Sequence, residues 1–157
     1  MSSPSNPAVK GVEATFDRPR IGFTGTQVGM TFDQKITLVS ILRRLKPSEF
    51  HHGDCIGSDE EAHELVRTLN NSWGLRCLIV IHPPDDDSKR ALCAGDETRE
   101  PKPYLERNHD IVADVDLLIA TPKSDAEQLR SGTWATVRHA RKQSRMTCII
   151  LPNGDVR

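Results

Sequence analysis

The sequence predicts an α/β fold of Rossmann-like type: a mainly parallel sheet of five or more strands with helices on both faces. Three observations carry this. Short apolar runs alternate along the chain with stretches of helical period. The runs at 75–81 and 115–120 are apolar apart from Arg76 and Asp116, as in strands covered on both faces. Glycine-bearing turns follow the strands and open the next helices, the pattern of right-handed βα crossovers.

Composition sets the frame. A chain of 157 residues with 36% hydrophobic and 27% charged residues reads as one globular domain over 19–157, preceded by an arm over 1–18. That arm is rich in Ser, Pro and Asn, shows no apolar period and is expected to be disordered. No apolar run approaches the roughly 18 residues of a membrane span, and Met1 to Lys10 lacks the apolar core of a signal peptide. Cys55, Cys77, Cys93 and Cys148 have no paired spacing, so free thiols in a reducing cytoplasm are expected. A net charge of −1 and few aromatics argue against nucleic acid as partner. Association into a homodimer or larger homo-oligomer stays open.

In order, Arg20 to Thr24 forms a strand closed by Gly25-Thr26-Gln27-Val28-Gly29. Thr31 or Asp33 caps a helix whose apolar face is Ile36, Val39, Leu42 and Leu45, and Pro47 stops it. Glu49 to His52 is a brief strand. The next helix is capped by Ser58 or Asp59, carries Glu60 and Glu61 in its first turn, and buries Ala62, Leu65, Val66 and Leu69, with Gly74 at its end. Leu75 to Ile81 is a strand. The polar stretch from His82 to Pro103 is too long for a plain connector and reads as a lid, a binding loop or a flexible segment. Tyr104 to Ala113 is helical and Val115 to Ala120 a strand. Ser131-Gly132-Thr133 opens a helix burying Trp134, Val137 and Ala140, and Met146 to Leu151 is the last strand.

Turns between a strand and a helix N-terminus present backbone N–H groups to anions. Three such turns, at Gly25, at Gly53–Ser58 and at Gly132, must share one edge of a parallel sheet, where ligands of open α/β sheets bind. The residues expected to hold a phosphorylated ligand are Gly25, Thr26, Gly53, Asp54, Gly57, Ser58, Asp59, Arg107, Asn108, Ser131, Gly132 and Thr133. Thr24 adds a further hydroxyl, and helix capping is the competing role for each of these hydroxyls. Arg107 can meet a phosphate or carboxylate, or simply pair with Glu106 or Asp110. The first loop lacks both the dinucleotide G-x-G-x-x-G and the Walker Gly-Lys-Ser/Thr spacing. His51, His52, Asp54 and His82 resemble metal ligands, but adjacent strand histidines point to opposite faces, so no metal site is expected. His63 and His139 are expected on the surface. No separate cofactor is expected.

With these residues in place the chain resembles the SLOG superfamily, the Rossmann-like group that includes the DprA/Smf proteins and the LOG nucleotide hydrolases, and it is most similar to the small YspA-like members. Gly25-Thr26, His52-Gly53-Asp54-Cys55-Ile56-Gly57-Ser58-Asp59, Arg107-Asn108, Ala113-Asp114 to Ala120, and Gly132-Thr133 follow that group's order of motifs over about residues 20–151. The resemblance implies binding of a nucleotide or nucleotide-derived phosphorylated ligand by a sensor or carrier domain. The alternative it implies is a nucleoside 5'-monophosphate N-glycosidase with Arg107 as a catalytic residue. There the position of the LOG glutamate falls on Thr136, which cannot act as a carboxylate, with Glu127 as a nearby substitute. DprA-like binding of single-stranded DNA and carriage of molybdenum cofactor are further, weaker implications.

Overall fold

The computed structural model describes residues 7–157. Its sheet has six parallel strands: β1 (Arg20–Gly25), β2 (Glu49–His52), β3 (Leu78–Ile81), β4 (Glu97–Thr98), β5 (Leu117–Thr121) and β6 (Met146–Ile149), in the order β4-β3-β2-β1-β5-β6. The five helices are α1 (Pro7–Thr15), α2 (Phe32–Leu45), α3 (Ser58–Ser72), α4 (Tyr104–Asp114) and α5 (Gly132–Lys142). The α/β arrangement is the expected one. Alternate side chains of β5 show why: Leu117 and Ile119 join the core under α1, α2 and α3, while Leu118 and Ala120 join that under α4 and α5. The order of strands reverses between β1 and β5, placing a crevice at their C-terminal ends.

Local chemistry explains most boundaries. Thr31 caps α2 in a capping box with Gln34, and Lys46 ends it in the left-handed region. Gly74, at φ +76, follows the C-cap of α3. The buried side of α2 is Leu38, Ile41, Leu42 and Leu45, whereas Ile36 is exposed; the helix is turned by about one residue from the expected face. β3 begins only at Leu78, itself exposed, and Leu75 and Cys77 are buried just ahead of it.

Three expectations are corrected. The arm expected to be disordered over 1–18 contains α1, which buries Val9 and Val12 against the first core and ties Glu13 to Arg44 on α2. The part of that expectation on residues 1–6 lies outside the described residues. The stretch after β3 is not a free lid. It contains a 3-10 turn (Asp87–Lys89) and the edge strand β4, and it is fastened to the β2–α3 loop. Ile56 N donates to Lys89 O at 3.0 Å and Ala91 N to Asp54 O at 2.8 Å. His63 is not on the surface but buried on α3, since its ring packs edge-on against His52. No helix among the described residues is long and apolar enough to cross a membrane.

Candidate functional site

At the β1/β5 crevice lies a cavity of about 580 Å³, the size of a small-ligand site. Its wall combines Thr24, Gly25 and Thr26 at the end of β1, Gly53, Cys55 and Asp59 after β2, Arg107 and Asn108 on α4, and Ser131, Gly132 and Thr133 at the start of α5. The three glycine turns therefore do meet, although not in equal roles.

The β2–α3 turn is covered. Gly57 takes φ +89 and ψ −124, a conformation open to glycine, and a side chain there would strike the Gln27 carbonyl. It is Gly57, not Ser58 or Asp59, that occupies the N-cap position of α3, and no side chain caps the helix. Ser58 N donates to Thr26 O at 2.9 Å, and Ser58 Oγ accepts from Thr26 N at 3.1 Å. The β1–α2 loop thus closes over the N-terminus of α3. Gly57 and Ser58 shape the site from behind and do not line it.

Asp54 also departs from the expected role. Its buried carboxylate accepts from Arg90 Nε at 2.7 Å and Cys93 N at 2.8 Å, clamping the 82–103 stretch. Asp59 does face the cavity and accepts from Cys55 N at 3.2 Å. Burial pushes its carboxyl up to about 6, against the pull of Arg107 and of the Cys55 and Gly53 amides.

Arg107 is nearly buried. Nη1 donates to Gly53 O at 2.5 Å and to His82 O at 3.2 Å, Nε donates to Asn108 Oδ1 at 2.8 Å, and the guanidinium lies 4.9 Å from the Tyr104 ring. A Cβ at Gly53 would collide with it, so glycine there is the condition for this approach. Arg107 therefore joins β2, β3 and α4 at the cavity floor. Nη2 has, among the described residues, the Cys55 sulfur at 3.9 Å as its hydrogen-bond partner, and the side chain lines the cavity.

The start of α5 is the open helix end. Ser131 caps it through Trp134 N at 3.3 Å, and a Cβ added at Gly132 would meet nothing within 4 Å. The first amides of a helix lack intrahelical partners and face the positive end of the dipole, and Gly132 and Thr133 bring theirs to the cavity. The sequence reading missed Lys123, Gln128 and Arg130, from the β5–α5 loop, and Tyr104, all of which line the same space. The signal available was two cations in a polar loop just ahead of a Ser-Gly-Thr helix start.

The carboxylate positions considered for glycosidase chemistry lie elsewhere. Thr136 is buried, with its hydroxyl on Gly132 O at 2.9 Å, and Glu127 pairs with Arg138 at 3.2 Å and Arg141 at 3.6 Å. Neither lines the cavity. His51 and His52 do point to opposite sides of the sheet, and both are buried.

No protein-family model matches the chain, and no curated protein matches it. Among solved structures it is similar to the molybdenum cofactor binding protein from the phototrophic bacterium Rippkaea orientalis. The TM-score is 0.63 at 17% identity, over 87% of this chain and 78% of that one. At that identity the likeness is one of fold.

Proposed function

We propose that the chain is a binding domain of SLOG type, a sensor or carrier that holds a nucleotide-like or otherwise nucleotide-derived phosphorylated ligand in the β1/β5 cavity. The observation that carries this reading is the open N-terminus of α5. Gly132 and Thr133 offer backbone donors beside Lys123 and Arg130, neither of which has an ion-pair partner among the described residues, while Asp59 is the one carboxylate in the wall. Such a set suits a phosphate group. The rest of the cavity, lined by Phe23, Val28, Tyr104 and Ile111, suits an apolar or aromatic moiety attached to it.

The structural neighbour is named for binding molybdenum cofactor, which supports a carrier role and keeps that phosphorylated ligand beside nucleotides in the class proposed. N-glycosidase activity has less support, because Thr136 and Glu127 are both engaged away from the cavity. Native mass spectrometry of the purified protein, followed by calorimetry with a panel of nucleoside monophosphates, tests the reading. Binding in the micromolar range without release of free base is expected. Rapid base release, abolished in Arg107→Ala, would replace the carrier by the enzyme.

A further inference from the structure

The buried histidines outside the cavity form two clusters, one on each face of the sheet, and their proton positions differ. On the first face His52 Nε2 lies 3.0 Å from His63 Nδ1, with Cys93 nearby. Asp54 N donates to His52 Nδ1 at 3.0 Å, so that nitrogen is the acceptor and Nε2 carries the hydrogen it gives to His63. Both facing nitrogens are engaged. This cluster is a hydrogen-bonded chain.

On the other face the assignment reverses. His51 Nε2 lies 2.9 Å from Glu49 Oε1; a carboxylate only accepts, so Nε2 bears the hydrogen and Nδ1 presents a lone pair. That Nδ1 faces His82 Nε2 at 2.9 Å, and Asp114 Oδ2 lies 4.0 Å from the same His82 nitrogen. His51 and His82 are 1% and 2% exposed. Asp114 Oδ2 is itself buried and accepts no hydrogen bond among the described residues; its neighbour is the Arg99 guanidinium at 3.1 Å.

We propose that His51 Nδ1, His82 Nε2 and Asp114 Oδ2 form a binding site for one divalent transition-metal ion of the zinc class. Two imidazoles and a carboxylate, with a fourth position left for water, are a donor set that such ions take. Glu49 is the outer carboxylate that fixes the orientation of His51. Tetrahedral coordination at about 2.0–2.1 Å sets neighbouring donors roughly 3.3 Å apart, and the observed 2.9 and 4.0 Å lie on either side of that spacing. In the ion-free chain the His82 Nε2 hydrogen bridges to His51. Loading moves it to His82 Nδ1, a change of tautomer without net loss of a proton. Arg99, which also holds Glu97 at 2.7 Å, then turns wholly to that partner. Because Arg107 donates to His82 O, the ion would brace the floor of the cavity from behind.

The test uses the full, untagged chain, stripped with a chelator and titrated with Zn²⁺ by calorimetry and with Co²⁺ by visible absorption. One equivalent per chain is expected, with Co²⁺ bands of tetrahedral type and no thiolate charge-transfer band. Asp114→Asn, at a partly exposed helix end, and His82→Asn should each weaken Zn²⁺ at least tenfold, and Glu49→Gln about 10- to 100-fold. Cys93→Ser and His63→Ala should leave it unchanged. Circular dichroism of each variant separates lost ligation from lost fold. Binding below one equivalent, a thiolate band lost in Cys93→Ser, or full affinity retained in folded Asp114→Asn would each overturn the proposal.

Discussion

Thr26 and Ser58 hold each other by two hydrogen bonds, Thr26 N to Ser58 Oγ at 3.1 Å and Ser58 N to Thr26 O at 2.9 Å. This pair latches the β1–α2 loop onto the head of α3. It takes the anion-binding end of α3 out of use and leaves α5 to meet the ligand. Ser58→Ala removes one acceptor and leaves the Thr26 amide without it, which should cost about 1–2 kcal/mol in urea unfolding. An unchanged midpoint would mean that the loop finds another anchor.

Gly132 should separate binding from folding. A side chain there meets open space, and the position lies in the first turn of α5, where glycine is not required by conformation. Gly132→Leu is expected to keep the melting temperature within a degree or two of the parent. Calorimetry should then show nucleotide affinity at least tenfold weaker, because the added side chain fills the space before the helix amides. Lys123→Ala and Arg130→Ala should each weaken anion binding by a smaller factor that shrinks further at high salt.

Arg107 should behave in the opposite way. Its guanidinium serves carbonyls of Gly53 and His82 and stacks on Tyr104 in a nearly buried setting. Arg107→Ala leaves those carbonyls unpaired and is expected to destabilise the domain by roughly 3 kcal/mol even without ligand. Denaturant unfolding of the ligand-free variant is the measurement. Parent-like stability would place Arg107 in ligand contact alone.

Asp59 gives a signed pH dependence. Its folded carboxyl sits at about 6, above the ordinary 3.8, because it is buried; Arg107 and the Cys55 and Gly53 amides pull downward, while Asp54 pushes upward. A group raised on folding stabilises the fold while protonated, below its unfolded value, and that contribution is lost as pH rises through about 6. Asp59→Asn should therefore gain on the parent between pH 4 and 7, by up to about 3 kcal/mol. A stability difference that stays flat over that range would contradict the assignment. Reading the difference, and not the parent alone, removes the opposite trend from His52 and His82, which burial drives down to about 3.

Removal of residues 1–16 tests α1. Val9 and Val12 are buried, and fully burying such a side chain contributes about 1.5–3 kcal/mol. The truncated chain should melt several degrees lower. A melting temperature unchanged by the deletion would restore the reading of this segment as a dispensable arm.

By itself the sequence determined the strand and helix succession apart from α1 and the edge strand β4, because the apolar residues in 20–24, 49–52, 115–120 and 132–142 reflect burial in and against a two-sided sheet. It also determined that the glycine turns meet, since every one follows a parallel strand. The tertiary structure decided which of those turns is free. Ser58 and Asp54 carry ligand-type chemistry in the sequence, yet their partners, Thr26, Arg90 and Cys93, lie more than thirty positions away in the chain. Only packing brings them together and occupies them. The same holds for α1, whose two buried valines make no visible pattern until β6 and α2 supply the surface beneath them. Local composition reports what a residue is able to do; the neighbours that use up or leave open its hydrogen bonds are assigned by the fold.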